Sequence, residues 1–101
     1  MKIPKSLKVG GHTYSVTYSK GNDEKKGKDS WGLTNHEHKN IYIDKDVPES
    51  QREETFIHEI LHCVTHHTKI NYEMDDDKEE NLVKRIACGL YMVLKDNNLL
   101  R

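Results

Sequence analysis

An α+β domain, with a small antiparallel sheet of about three strands packed against two main helices, is predicted by three features of the chain. Polar and apolar residues alternate near the amino end. Two short apolar runs flank a polar turn in the middle, and the second half carries two long segments of helical period. Strands followed by helices indicate α+β rather than an alternating α/β layout. With 101 residues the chain makes one domain, 1–101, with room for a single modest core.

Taken in order, Pro4 keeps residues 1–7 from being helical, so they read as a lead-in. His12, Tyr14, Val16 and Tyr18 then alternate with Thr13, Ser15, Thr17 and Ser19, the period of a half-buried strand, and Gly10-Gly11 marks a bend or turn ahead of it. Residues 20–29 are charged and glycine-containing, which predicts an exposed loop. Two short strands at 30–35 and 40–44, joined by a polar turn, predict a hairpin. In it Ile41 and Ile43 face one way and Tyr42 the other. Trp31, the sole tryptophan, is expected in the core. His12 reads as a strand-face residue, and His36 and His38 as a polar hairpin tip.

Ser50 with Glu53 three residues on has capping-box spacing, while Pro48 suits a first-turn position; either starts a helix running to His66 or His67. Phe56, Ile57, Ile60, Leu61 and Val64 form its apolar face. A second helix starts near residues 75–77, where acidic side chains complement the helix dipole, and fades at 96–98. Leu82, Val83, Ile86, Leu90, Val93 and Leu94 form its predicted stripe. Cys63 and Cys88 fall within these helices as small buried thiols rather than a disulfide framework.

Hydrophobic residues make up only 34% of the chain, so the core is economical and a bound metal would add folding energy. The net charge of −1 is interspersed, which argues against a nucleic-acid stripe or a membrane-seeking face. The amino end lacks the apolar region of a signal peptide, and no stretch reaches the roughly 18–20 apolar residues that span a bilayer. The cytosol is therefore the expected compartment. No feature of the sequence names an oligomeric state.

The chemistry centres on His58-Glu59-Ile60-Leu61-His62, an HExxH pattern within the first helix. Residues four apart on a helix lie nearly above one another, so two imidazoles can each give a nitrogen to one Zn²⁺ ion at about 2.0–2.1 Å. Glu59, turned about 60–100° around the helix, suits a general base acting on water rather than a ligand. Catalytic zinc takes three protein ligands. Thr68 stands where the extended HExxHxxGxxH form would place a third histidine, which excludes that class. His66 drifts about 80° around the helix from His58 and converges poorly. Glu79 and Glu80 on the second helix are the better third ligands. Glu79 has a competing role, because with Asp76 as N-cap it would bond back to the cap's amide. Glu80 leads.

HEILH, followed by Glu80 with Val83, Ile86, Ala87 and Leu90 at offsets of three, six, seven and ten, resembles the gluzincin metallopeptidases of the ImmA/IrrE-like anti-repressor family. Lys84 departs from the asparagine usual there. The resemblance covers residues 53–94, and the chain is also similar to short zincin-like proteins of phages and prophages. It implies a minimal zincin-like core and a zinc peptidase acting on a protein or peptide substrate. His58, His62 and Glu80 would be the metal ligands and Glu59 the catalytic base. An oxyanion stabiliser is also expected, for which Tyr91 and His36 are the candidates. Two other classes of function fit the residues. One is a catalytically silent, zinc-stabilised regulatory or protein-binding module. The other is a metal-free interaction domain in which the HExxH match is accidental.

Overall fold

A computed structural model describes residues 1–20 and 31–100. The predicted charged loop at 20–29 lies almost wholly outside them. Among the described residues four strands, β1 (Ser6–Val9), β2 (His12–Ser19), β3 (Gly32–Asn35) and β4 (Asn40–Asp44), precede two helices, α1 (Glu49–His67) and α2 (Asp76–Asp96). A short 3-10 turn, Ile70–Glu73, joins the helices. The fold is α+β, as the element order predicts.

The sheet differs from the expected three antiparallel strands. Its order is β1-β2-β4-β3, and β2 runs parallel to β4 with Val16 opposite Ile41 and Tyr18 opposite Ile43. Alternation fixes which face a strand buries but says nothing of its direction. The extra strand is β1, formed by the presumed lead-in once Pro4 is passed. It folds onto β2 through Gly10-Gly11, both at positive φ (57° and 84°) as a tight two-residue hairpin requires. β3 and β4 form the expected hairpin, which leaves β3 at the sheet edge.

Tyr14, Ile41 and Ile43 are fully buried beneath α1 and pack with Phe56 and Cys63. Burying Ile41, Ile43 and Phe56 stabilises the domain by about 1.5–3 kcal/mol each. The opposite side of α1 buries Ile57 and Leu61 against Ala87, Tyr91 and Leu94 of α2. α1 is therefore held from both sides, sheet and helix. Val64, expected on its apolar face, is instead partly exposed.

Both helix starts depart from the predicted caps. Pro48 occupies the N-cap of α1 without a side-chain bond, and no Ser50–Glu53 box forms. Glu53 turns into the core, where it meets the Met1 amino group at 2.8 Å and accepts the Tyr91 hydroxyl at 2.7 Å. In α2 the cap is Asp75, not Asp76, and its carboxylate accepts the Lys78 amide at 2.8 Å. Glu79 is thereby released from capping. The buried seam of α2 is Val83, Ala87 and Tyr91, whereas Ile86, Leu90 and Val93 of the predicted stripe stand 41–56% exposed. Apolar residues cover a wide arc of this helix, and only one margin of that arc meets α1. Cys88 is exposed, contrary to expectation, while Cys63 is buried; both are free thiols. No helix among the described residues is long and apolar enough to cross a membrane.

Candidate metal centre

The one-turn spacing of His58 and His62 on α1 brings their Nε2 atoms within 3.1 Å of each other. Across the helix pair, Glu80 in the second turn of α2 places Oε1 3.0 Å from His58 Nε2 and Oε2 2.7 Å from His62 Nε2. His58, His62 and Glu80 thus offer three donor atoms within 4.8 Å of one another, and they are the only such group of histidine, cysteine or acidic side chains among the described residues. Two nitrogens held at about 2.0–2.1 Å by one tetrahedral ion would stand about 3.3 Å apart, close to the spacing seen. Two imidazoles and a carboxylate make a donor set that fits a divalent first-row ion. Burial holds the His58 imidazole below its ordinary pKa against the opposing pull of the Glu80 carboxylate, and so favours the neutral ring that a metal requires.

Glu59, only 4% exposed, lies against the floor of the same cleft. Burial pushes its carboxyl up to about 7, against the hydrogen bond from Thr34 and the nearby His62. The Thr34 hydroxyl, on the edge strand β3, donates to Glu59 Oε1 at 2.7 Å. Sequence reading missed Thr34, because only the tertiary approach of β3 to α1 gives it a role. The same approach needs Gly32. A Cβ there would lie 2.6 Å from Thr55 Cγ2, 3.0 Å from Glu59 Oε2 and 3.1 Å from the Tyr42 carbonyl oxygen. Gly32→Ala is accordingly expected to destabilise the domain by about 1–3 kcal/mol through overpacking. Chemical denaturation measures this, and an unchanged midpoint would contradict the contact.

The cleft has a volume of about 840 Å³ and is walled by Trp31, Leu33 and Thr34 on one side and by Lys84 and Ala87 on the other. Trp31, expected in the core, is 54% exposed at this wall. Of the two oxyanion candidates, His36 lines the cleft and Tyr91 does not. The Tyr91 hydroxyl is committed to Glu53 on the far side of α1, where burial and that carboxylate push it up to about 12. The His36 ring stacks on His66 with centroids 3.8 Å apart, and its Nδ1 lies 3.0 Å from the Tyr14 hydroxyl. Burial, helped by the neighbouring imidazoles of His66, His62 and His67 and by Lys39, lowers His36 to about 4. His66 is thus occupied in that stack, outside the converging set. His12 stacks on His67, and His38 sits at the exposed hairpin tip.

Glu79 does not join Glu80 at the Nε2 atoms. Its Oε2 lies 3.3 Å from His62 Nδ1, on the other edge of the ring, and accepts the Thr65 hydroxyl at 2.5 Å.

Compared with known proteins, residues 13–100 match the family model described as the IrrE N-terminal-like domain, a peptidase family. No curated protein and no solved structure matches the chain. With nearly nine-tenths of its length covered by that model, the chain belongs to the ImmA/IrrE family of zincin-like peptidases and their regulatory relatives.

Proposed function

We propose that this domain is a zinc metallopeptidase that hydrolyses peptide bonds, with His58, His62 and Glu80 as the ligands and Glu59 as the general base. The observation that carries the reading is the convergence of three donor atoms beside a buried carboxylate in one cleft. When bound, zinc supplies a Lewis acid that polarises the scissile carbonyl and makes water acidic enough to attack near neutral pH. Glu59 takes the proton of the attacking water and returns it to the leaving amine. Thr34 fixes one of its oxygens during both transfers. His36, which lines the cleft with its ring held by Tyr14 and His66, is the proposed donor to the developing oxyanion.

An extended peptide would lie along β3, which is the edge of the sheet and contributes Gly32, Leu33 and Thr34 to the cleft. The strand around Ile41–Ile43, by contrast, is interior and already paired on both sides. A cytosolic setting and a protein or peptide substrate complete the proposal.

The exposed apolar row of Ile86, Leu90 and Val93 on α2 favours a second reading, a silent zinc-stabilised module that docks a regulatory partner. Incubating zinc-loaded protein with a peptide library, with and without chelator, separates the two. Chelator-sensitive cleavage supports the peptidase. Complete absence of turnover by fully loaded protein supports the module.

A further inference from the structure

Two consecutive glutamates address opposite edges of one imidazole. Glu80 Oε2 lies 2.7 Å from His62 Nε2, and Glu79 Oε2 lies 3.3 Å from His62 Nδ1. A neutral imidazole carries one N–H, and the hydrogen bond at one nitrogen decides which nitrogen keeps its lone pair. With a cation held between Nε2, His58 and Glu80, the ring's N–H stands at Nδ1, where the Glu79 carboxylate accepts it and Nε2 is left as the electron-pair donor.

The surroundings of Glu79 support this division of labour. Its side chain is 15% exposed against 55% for Glu80, so one carboxylate is packed between the helices and the other opens to the cleft. Thr65, one turn beyond His62 on α1, lies 2.5 Å from the same Glu79 oxygen and 3.1 Å from the His62 carbonyl oxygen. Its single hydroxyl hydrogen goes to the closer, charged acceptor. Asp75 caps α2 through the Lys78 amide, so no capping task competes for the Glu79 carboxylate.

We propose that Glu79 is the positioning residue of this site, a carboxylate steadied by Thr65 that orients His62 and fixes its tautomer without itself being a ligand. The inference rests on the zinc site proposed above. Outer partners of metal-bound histidines commonly govern metal affinity by 10–100-fold.

The test uses zinc alone as the probe, titrated against a chromophoric chelator, on the whole chain. Glu79→Ala is expected to weaken zinc binding about 10–100-fold while keeping the wild-type stoichiometry. Glu79→Gln restores most of that loss, because its amide oxygen still accepts the Nδ1 hydrogen. Glu80→Ala loses far more than either. In parallel, imidazole nitrogen NMR on metal-free Glu80→Ala, where no carboxylate competes for His62 Nε2, reads the tautomer directly. The Nδ1–H form of His62 should dominate there and give way to a mixture when Glu79→Ala is added. Thr65→Val serves as a milder variant should Glu79→Ala fold poorly, with several-fold weaker zinc binding expected.

Zinc affinity within twofold of wild type in Glu79→Ala, with the tautomer unchanged, would overturn the proposal. So would loss of zinc from Glu79→Gln as complete as from Glu80→Ala, which would make Glu79 a ligand. Should the wild type take up no zinc, the metal site itself falls. The tautomer populations would still decide whether Glu79 orients His62.

Discussion

Glu59→Gln should leave zinc uptake intact and reduce kcat/KM for peptide cleavage by about 10²–10⁴-fold, the usual worth of a positioned general base. The amide keeps the shape of the side chain and still accepts the Thr34 hydroxyl, so geometry is preserved while the proton acceptor is lost. The same variant has a second signature in metal-free protein. Burial raises the Glu59 carboxyl from its ordinary value of 4.5 to about 7. A carboxyl raised on folding contributes stability at low pH that is lost as pH rises through the folded value. The Glu59 contribution to wild-type stability, read as the difference from Glu59→Gln, should therefore decline between about pH 4.5 and 7 by an amount of order 3 kcal/mol. Glu59→Gln should lack that decline and be the more stable protein at pH 8. Urea unfolding across this range, with chelator present, measures it. Parallel pH curves for the two proteins would show that Glu59 is not buried as described.

The largest loss of stability is expected on the other side of α1. Glu53→Ala should destabilise the domain by about 3–5 kcal/mol, the range for removing one member of a buried ion pair. The substitution strands the Met1 amino group, 2.8 Å from the carboxylate, and the Tyr91 hydroxyl beneath it. Lys95, at 3.6 Å, loses its partner as well. Against a total stability of about 5–15 kcal/mol this is a large fraction, and thermal unfolding should show it as a fall in Tm of well over 10 °C. The pH dependence has the opposite sign to that of Glu59. Burial works to raise the Glu53 carboxyl, but the ammonium, the phenol and Lys95 together hold it below the ordinary range. Its contribution is therefore present at neutral pH and lost as pH falls through its folded pKa. A change in Tm of only a few degrees would place Glu53 outside the core network.

Glu53 also illustrates where sequence reading runs out. Its spacing from Ser50 satisfies a local cap pattern, yet the side chain takes non-local partners 38 and 52 residues away in sequence. Local signals served well where local geometry decides the outcome. The HExxH spacing, the extent of α1 and the alternation burying Tyr14, Ile41 and Ile43 all follow from the 3.6- and 2-residue periods. Strand direction has no such signature, so the parallel β2–β4 pair was invisible. On α2 the small side chain of Ala87 and the polar tip of Tyr91 hid the true seam, while the larger Ile86 and Leu90 suggested a face that stays exposed. The role of Glu79 turned on whether Asp75 or Asp76 caps the helix, two adjacent residues of identical chemistry. Trp31 followed hydrophobicity to the core in the sequence reading, whereas the edge position of β3 puts it at the cleft.

Everything proposed for the cleft depends on a metal being held by α1 and α2 together. Elemental analysis of purified protein reconstituted with zinc, with His62→Ala in parallel, tests this most directly. Close to one zinc per chain in the wild type and none in the variant is the predicted result. No zinc in reconstituted wild type, or equal zinc in His62→Ala, would contradict the site.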